Sequence, residues 1–352
     1  MLSTLETVLP LFKSAQLKQL AFLCGAKTSG KKSEIVERLV AIAKPRLSEP
    51  QATKDHQLIL SIDLGIRNLG YSLLAPAATL PSSKALNADD LRRPPRVHLH
   101  AWKRRELLDP SLDKPDDPEC FSPASLAVAA DRLVRQDLLP LKPTHVLIER
   151  QRWRSGGAAA IQEWTLRVNT LEAMLHASLR TLRELGHWNG EIASVGPDKV
   201  TRFWPAPATA SVEDTPKTKG SRSGKGVVGK AQKEAKSKQD SKKHKIGVLA
   251  GWLKEERGNK IILPANRDIE DAIKQYRRRL VRIRRSSAAD EDPVRDDRPQ
   301  KLDDLTDSLL QGVAWLKWEE NKALLLRPDG ITNILNSDLL DEREADSLVD
   351  DV

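Results

Sequence analysis

The chain has 352 residues, 58 lysines and arginines against 49 acidic residues, and a formal net charge of +9. That length suits one large domain or two, and because no stretch approaches the ~20 consecutive apolar residues of a membrane span, an integral membrane protein is excluded from the expectations. The basic balance favours an anionic polymer as partner, although merely soluble basic proteins share it, and two cysteines, Cys24 and Cys120, cannot build a disulfide framework or a cysteine zinc site.

The N-terminus carries Glu6 and no arginine before Arg38, so it reads as neither a secretory signal nor an arginine-rich transit peptide. Residues 1–45 are expected to form a unit of their own. Leu17, Leu20, Ala21 and Cys24 recur at helical spacing, Gly25 stops that helix, and Ser33 caps a second one bearing Ile35, Val36, Leu39 and Val40. The turn "KTSGKK" sets Lys27, Lys31 and Lys32 beside a helix start, where free backbone amides can hold a phosphate; a solvated lysine turn is the plainer alternative. Taken whole, the segment resembles the SAP motif, which implies DNA binding. A polar linker, 46–57, follows.

The main domain, 58–325, reads β-rich and then helical. Residues 58–66 and 69–75 pair as a hairpin, 96–102 alternate as a third strand, and 122–140 begin a helix at Ser-Pro. "THVLIER", 144–150, is a fourth strand, a long helix spans 158–186, and 190–195 give a fifth strand. Two segments are expected to break the domain. Residues 217–245 lack any aromatic side chain and read as a disordered basic insertion, and "KQYRRRLVRIRR" follows at 274–285. A last helix covers 301–319, and 326–352 read as a loosely held acidic tail.

Three of these elements place carboxylates where structure alone does not need them: Asp63 in the first strand, Glu149 at the end of the fourth, and Asp304 with Asp307 on the last helix. Residues three apart share a helix face, so both aspartates can point at one spot. Converging buried carboxylates repel, and cations between them make the arrangement tolerable. Hard oxygen ligands suit Mg²⁺ or Mn²⁺, and two such ions can clamp a phosphodiester for in-line hydrolysis. Singly, each acid has a plainer account: Asp63 as a turn carboxylate, Glu149 paired with Arg150 or Arg152, Asp303 and Asp304 as helix N-terminal acids.

The element order strand-Asp, hairpin, strand, helix, strand-Glu, helix, strand, helix-Asp-x-x-Asp matches a ribonuclease H-like mixed five-stranded sheet with flanking helices. With "SIDLGIRNLGYSLL", "HVLIERQRWRSG" and "LDDLTDSLLQGVAWLKW", preceded by the SAP-like module, the chain resembles the fungal mitochondrial Holliday-junction resolvases, cruciform-cutting endonucleases related to bacterial RuvC. The resemblance implies a mitochondrial homodimer that binds four-way DNA junctions and makes paired symmetric nicks. It puts Asp63, Glu149, Asp304 and Asp307 in a site for Mg²⁺ or Mn²⁺, two ions per site, with Asp303 a doubtful fifth ligand.

Several features fill in this reading. Arg150, Arg152 and Arg154 after the metal-binding glutamate suit a phosphate-holding loop, or are surface arginines near a carboxylate. Lys243 and Lys245 could approach the cleaved phosphate. The apolar stripe on 158–186 is core in part, with a dimer contact as the further expectation, whereas His98 and His100 read as ordinary strand histidines. "DLGIRNLG" also resembles the phosphate loop of actin-type ATPases, but no second aspartate-glycine loop accompanies it, so no nucleotide cofactor is expected. Another ribonuclease H-like nuclease, acting on RNA–DNA hybrids or as a transposase, and a non-catalytic DNA-binding protein remain the alternatives.

Overall fold

The computed structural model describes residues 2–44, 57–77, 93–108, 118–151, 162–204, 228–254, 260–288, 300–327 and 329–336. The chain opens with α1 (Leu2–Val8), α2 (Ser14–Leu23) and α3 (Lys32–Ala43). Gly25 ends α2 with φ +67°, as its position suggested, and a Cβ there would lie 2.5 Å from the Trp318 ring. That contact shows that these helices do not stand apart from the rest of the chain. Leu17, Leu20 and Leu39 are fully buried in one apolar cluster with Trp318, and the Asn321 side chain donates to the Leu23 carbonyl at 2.7 Å.

β1 (Ile59–Asp63), β2 (Leu69–Pro76), β3 (Val97–Arg105), β4 (His145–Glu149) and β5 (Glu191–Val195) form one mixed sheet. Its order is β5-β4-β1-β2-β3-β6, the sixth strand being β6 (Ile262–Pro264), which pairs in parallel with β3. The expected five strands are therefore six. A strand of three residues carries too little alternation to be read from sequence.

Helices cover both faces. On one, α4 (Pro123–Arg132), capped by Ser122 Oγ accepting from the Ser125 amide, packs with α5 (Glu163–Glu184). Leu171, Leu175 and Leu179 of α5 have no exposed surface, so that part of the stripe belongs to this chain's own core, while Trp164 on the same helix stays exposed. On the other face lie α6 (Pro197–Phe203), α7 (Val228–Lys254), α8 (Arg267–Ala288), α9 (Gln300–Leu324) and α10 (Gly330–Asn336).

Three expectations are corrected here. Of the insertion expected at 217–245, residues 217–227 lie outside the described residues, and 228–245 are helical, forming the first part of α7. Their lysines, alanines and glutamines are good helix formers, and buried Val248, Leu249 and Trp252 anchor the helix downstream. The segment 274–285 does not break the domain but lies within α8, which buries Tyr276 and Leu280. The tail begins later than 326, because Leu325, Ile331 and Ile334 are buried through α10.

Helix α9 sits low on β1 and β2. The Gln311 amide donates to Ser61 Oγ at 3.0 Å and to the Ile62 carbonyl at 3.2 Å, and Ser72 Oγ donates to the Ser308 carbonyl at 3.0 Å. Gly70 permits this approach, since a Cβ there would stand 2.2 Å from the Asp304 carbonyl oxygen. These contacts set the axial position of α9, and with it the height of its aspartates above the strand ends.

Candidate active site

Strand alternation explains why Asp63 and Glu149 meet. Leu60 and Ile62 enter the α4–α5 core, so Ser61 and Asp63 face α9; Ile148 and Glu149 alternate in the same way. Ile62 and Ile148 are the last paired residues of the parallel strands β1 and β4, which leaves the two carboxylates side by side at the carboxyl ends. Both side chains line the same small cleft.

With Asp307, Lys245, Gln311, Pro197 and Val200 they line a cleft of about 240 Å³ that is partly open to solvent. Asp304, one turn back on α9, is ion-paired with Arg104 of β3 at 3.4 Å. Lys245 reaches across from α7 to Asp307 at 2.7 Å, and one turn earlier Lys242 reaches Asp303 at 2.7 Å. Two rungs thus tie α7 to α9. Asp303, like Asp304, is outside the residues lining the cleft, and its cation, Lys242, comes from the same helix as the Lys245 that pairs with Asp307.

The electrostatics show a site short of positive charge. Asp63 is held well above the ordinary carboxylate range by burial first, then by facing Glu149, with Asp307 and Asp304 adding to the effect. Burial lifts Asp304 to about 7, Arg104 drawing it down and Asp303 and Asp307 pushing it up. Burial lifts Asp307 to about 6 even with Lys245 beside it. Burial opposes the charge on Lys245, but Asp307, Glu149 and Asp63 outweigh it and hold the ammonium above its usual range. Asp307 Oδ1 is buried without a hydrogen-bond partner, and Asp304 Oδ2 has only its ion pair with Arg104.

Among the described residues no three carboxylate, thiol or imidazole groups already stand in metal-holding geometry. The donor set nevertheless fits a hard divalent cation. Its donors are carboxylate oxygens, Asp307 Oδ1 has no hydrogen-bond partner, and one lysine and one arginine leave the acids mutually repelling. Asp63, Glu149, Asp304 and Asp307 are the residues that would hold it.

The remaining expected residues divide. Lys245 is at the cleft, whereas Lys243 is exposed on α7 and makes no described contact there. Arg150 is exposed just beyond Glu149; Arg152 and Arg154 lie outside the described residues. At the basic turn, Arg38 donates to the Lys27 and Ser29 carbonyls, and the Lys31 amide donates to Glu34 Oε2 at 3.1 Å, so that amide is already taken while Lys31 and Lys32 remain exposed. Both cysteines are buried and neither is in a disulfide, and burial pushes the Cys24 thiol up to about 12. Gln311, Arg104 and Lys242 were not foreseen. Gln311 lies four residues beyond Asp307, on the same helix face, and could have been found by that spacing; the other two carry no sequence signal.

A mixed sheet with acids at the ends of its first and fourth strands and on the helix laid across them defines a domain of the ribonuclease H-like class. More narrowly, the chain belongs to the family described as mitochondrial resolvase Ydc2 / RNA splicing MRS1, whose model matches residues 59–325. It is 33% identical over 165 residues to the cruciform cutting endonuclease 1, mitochondrial, of Schizosaccharomyces pombe, a match covering 47% of this chain and 54% of that protein. The Saccharomyces cerevisiae protein of the same name is 24% identical over 350 residues, 93% of this chain and 86% of the relative. The crystal structure of the yeast mitochondrial Holliday junction resolvase Ydc2 shares the fold, with a TM-score of 0.53 and 24% identity over 90% of this chain and 98% of that one.

Proposed function

We propose that this protein is an endonuclease that resolves four-way DNA junctions by paired symmetric nicks, hydrolysing phosphodiesters with Mg²⁺ or Mn²⁺ held by Asp63, Glu149, Asp304 and Asp307. The observation that carries the reading is the convergence of these acids from two strand ends and one helix at the carboxyl ends of β1 and β4, beside a half-buried lysine. Such a cluster repels a phosphate unless cations offset it. When bound, divalent ions supply an activated water and stabilise the leaving oxygen. The chain's own residues do the rest. Gln311 and Ser72 hold α9 at the height that aims Asp307 into the cleft, Lys245 presents a fixed positive charge where the phosphate arrives, and Arg104 steadies Asp304.

Two symmetric nicks call for two such sites, hence a homodimer. With the inner stripe of α5 buried, the surface left for that contact includes exposed Val128, Trp164 and Leu166. The names of the relatives place them in mitochondria, and the same location is proposed for this chain.

The family description also includes an RNA-splicing protein, which favours a second reading as a non-cutting RNA binder. That role gives no return for gathering four mutually repelling acids. One comparison decides: a four-way junction, a duplex, an RNA–DNA hybrid and a folded RNA are incubated with the protein in Mg²⁺ and in EDTA. Preferential, metal-dependent cutting of the junction is expected. Tight binding of RNA with no cutting of any substrate refutes the resolvase reading.

A further inference from the structure

Helix α8 is an addition to the sheet edge that the active site does not by itself require. It starts directly after β6, with Asn266 Oδ1 accepting from the Ile269 amide at 3.0 Å, and its inner face buries Ile269, Tyr276 and Leu280. Its outer face is basic. Lys274, Arg277, Arg278, Arg279 and Arg282 are all exposed, and Arg277, Arg278 and Arg279 make no ion pair among the described residues. A helix dipole explains a basic residue or two near a C-terminus, not five in nine positions.

The same helix is fastened to the catalytic turn. Tyr276 shares a hydrogen bond of 2.7 Å with Thr306, which lies between Asp304 and Asp307. The Tyr276 ring packs on Trp102 at 5.0 Å, and the Trp102 indole N–H donates to the Leu305 carbonyl at 2.9 Å. Counting 1.5 Å per residue along the axis, the arginines from 277 to 282 sit within about 10 Å of Tyr276. The stripe 274, 278, 282 is about 12 Å long, the axial reach of three to four phosphates of one strand.

We infer that the arginine face of α8 is a second nucleic-acid contact, gripping the phosphate backbone of a duplex arm just outside the junction and holding it in fixed register with the catalytic turn. The inference rests on the proposed junction substrate. A lipid surface is the rival anion, but membrane docking by a basic amphipathic helix needs a free apolar face, and here Ile269, Tyr276 and Leu280 are buried in the core, with Val281 the one large apolar side chain exposed among the described residues of the helix. Planar, weakly hydrated guanidinium groups are suited to phosphate oxygens.

The test joins a protein change to a DNA change. A triple variant, Arg277→Gln, Arg278→Gln and Arg279→Gln, is compared with wild type in EDTA on junctions in which neutral methylphosphonate linkages are walked outward along each arm. Wild type is expected to lose affinity when the linkages lie beneath α8, and the triple variant to lose nothing more there. On unmodified junctions the variant's slope of log affinity against log salt is expected to be shallower by about 2–3, with roughly tenfold or greater weakening at ~0.1 M salt. An Arg→Lys triple keeps most of the slope, Arg180→Gln on α5 changes nothing, and an unaltered thermal midpoint excludes misfolding.

Equal salt slopes for variant and wild type, or losses that add at every arm position, overturn the inference. So does a variant that binds DNA normally but loses anionic vesicles. Plain duplex separates the two proposals. A wild type that never cuts junctions, with a variant that loses duplex affinity, defeats the resolvase reading and keeps α8 as a DNA contact. A cutting wild type with an unaffected variant defeats only the inference.

Discussion

Asp304→Asn should make the metal-free protein more stable at pH 8 while abolishing cutting. Burial holds this carboxyl at about 7 in the folded chain against an ordinary 3.8. A raised carboxyl means that the folded state binds the proton more tightly than the unfolded state, so its contribution is fully present below pH ~3.8 and is lost as pH climbs through ~7. The span corresponds to about 4 kcal/mol at ~1.4 kcal/mol per pH step, an upper figure. Partial solvent access at Asp304 and loss of the Arg104 contact, 3.4 Å and half-exposed, reduce it to about 1–2 kcal/mol. In EDTA at pH 8 the variant should therefore melt a few degrees higher than wild type, at roughly 2 °C per kcal/mol for a chain of this size. Between pH 8 and pH 5 the gap should shrink, because wild type takes up its proton. Thermal melts across that range, with and without Mg²⁺, read the effect directly. A variant less stable than wild type at pH 8, or a gap that grows on acidification, refutes the electrostatic account of the site.

Lys245→Met should strand Asp307 beside Asp63 and Glu149; cutting should disappear, and urea unfolding at neutral pH should show a loss of about 1–3 kcal/mol. Gly70→Ala places a methyl against the Asp304 carbonyl and should push α9 away from β2, costing about 1–3 kcal/mol in urea and most of the cutting rate. Leu171→Glu buries a charge in the α4–α5 core, so it should be insoluble or unfolded rather than a folded monomer, as gel filtration and circular dichroism would show. Chelation should stop cutting and leave junction affinity largely intact, since lysines and arginines neutralise phosphates unaided; anisotropy in EDTA measures it.

Much of the site is local in origin and therefore readable along the chain. A strand that runs apolar to a terminal acid places that acid on a known face, and three-residue spacing on a helix places two more together, so Asp63, Glu149, Asp304 and Asp307 could be assembled without coordinates. What the sequence by itself determined is this set of side-chain directions. It did not reveal the partners that come from distant segments: Lys245 on Asp307 across 62 positions, Arg104 on Asp304, and Thr306 on Tyr276 across 30. The lysine-rich stretch before Lys245 has no apolar pattern to declare a helix; it becomes helical because the apolar turns after it dock on α9. β6 is too short to show a period, and only an open edge of β3 gives it a place. The N-terminal helices read as a separate unit because their own periodicity is complete, yet a Trp318 ring over Gly25 and an amide on the Leu23 carbonyl join them to α9. Periodicity fixes which way a side chain points relative to its own backbone; the neighbour it meets depends on long-range packing, which leaves no mark on local spacing.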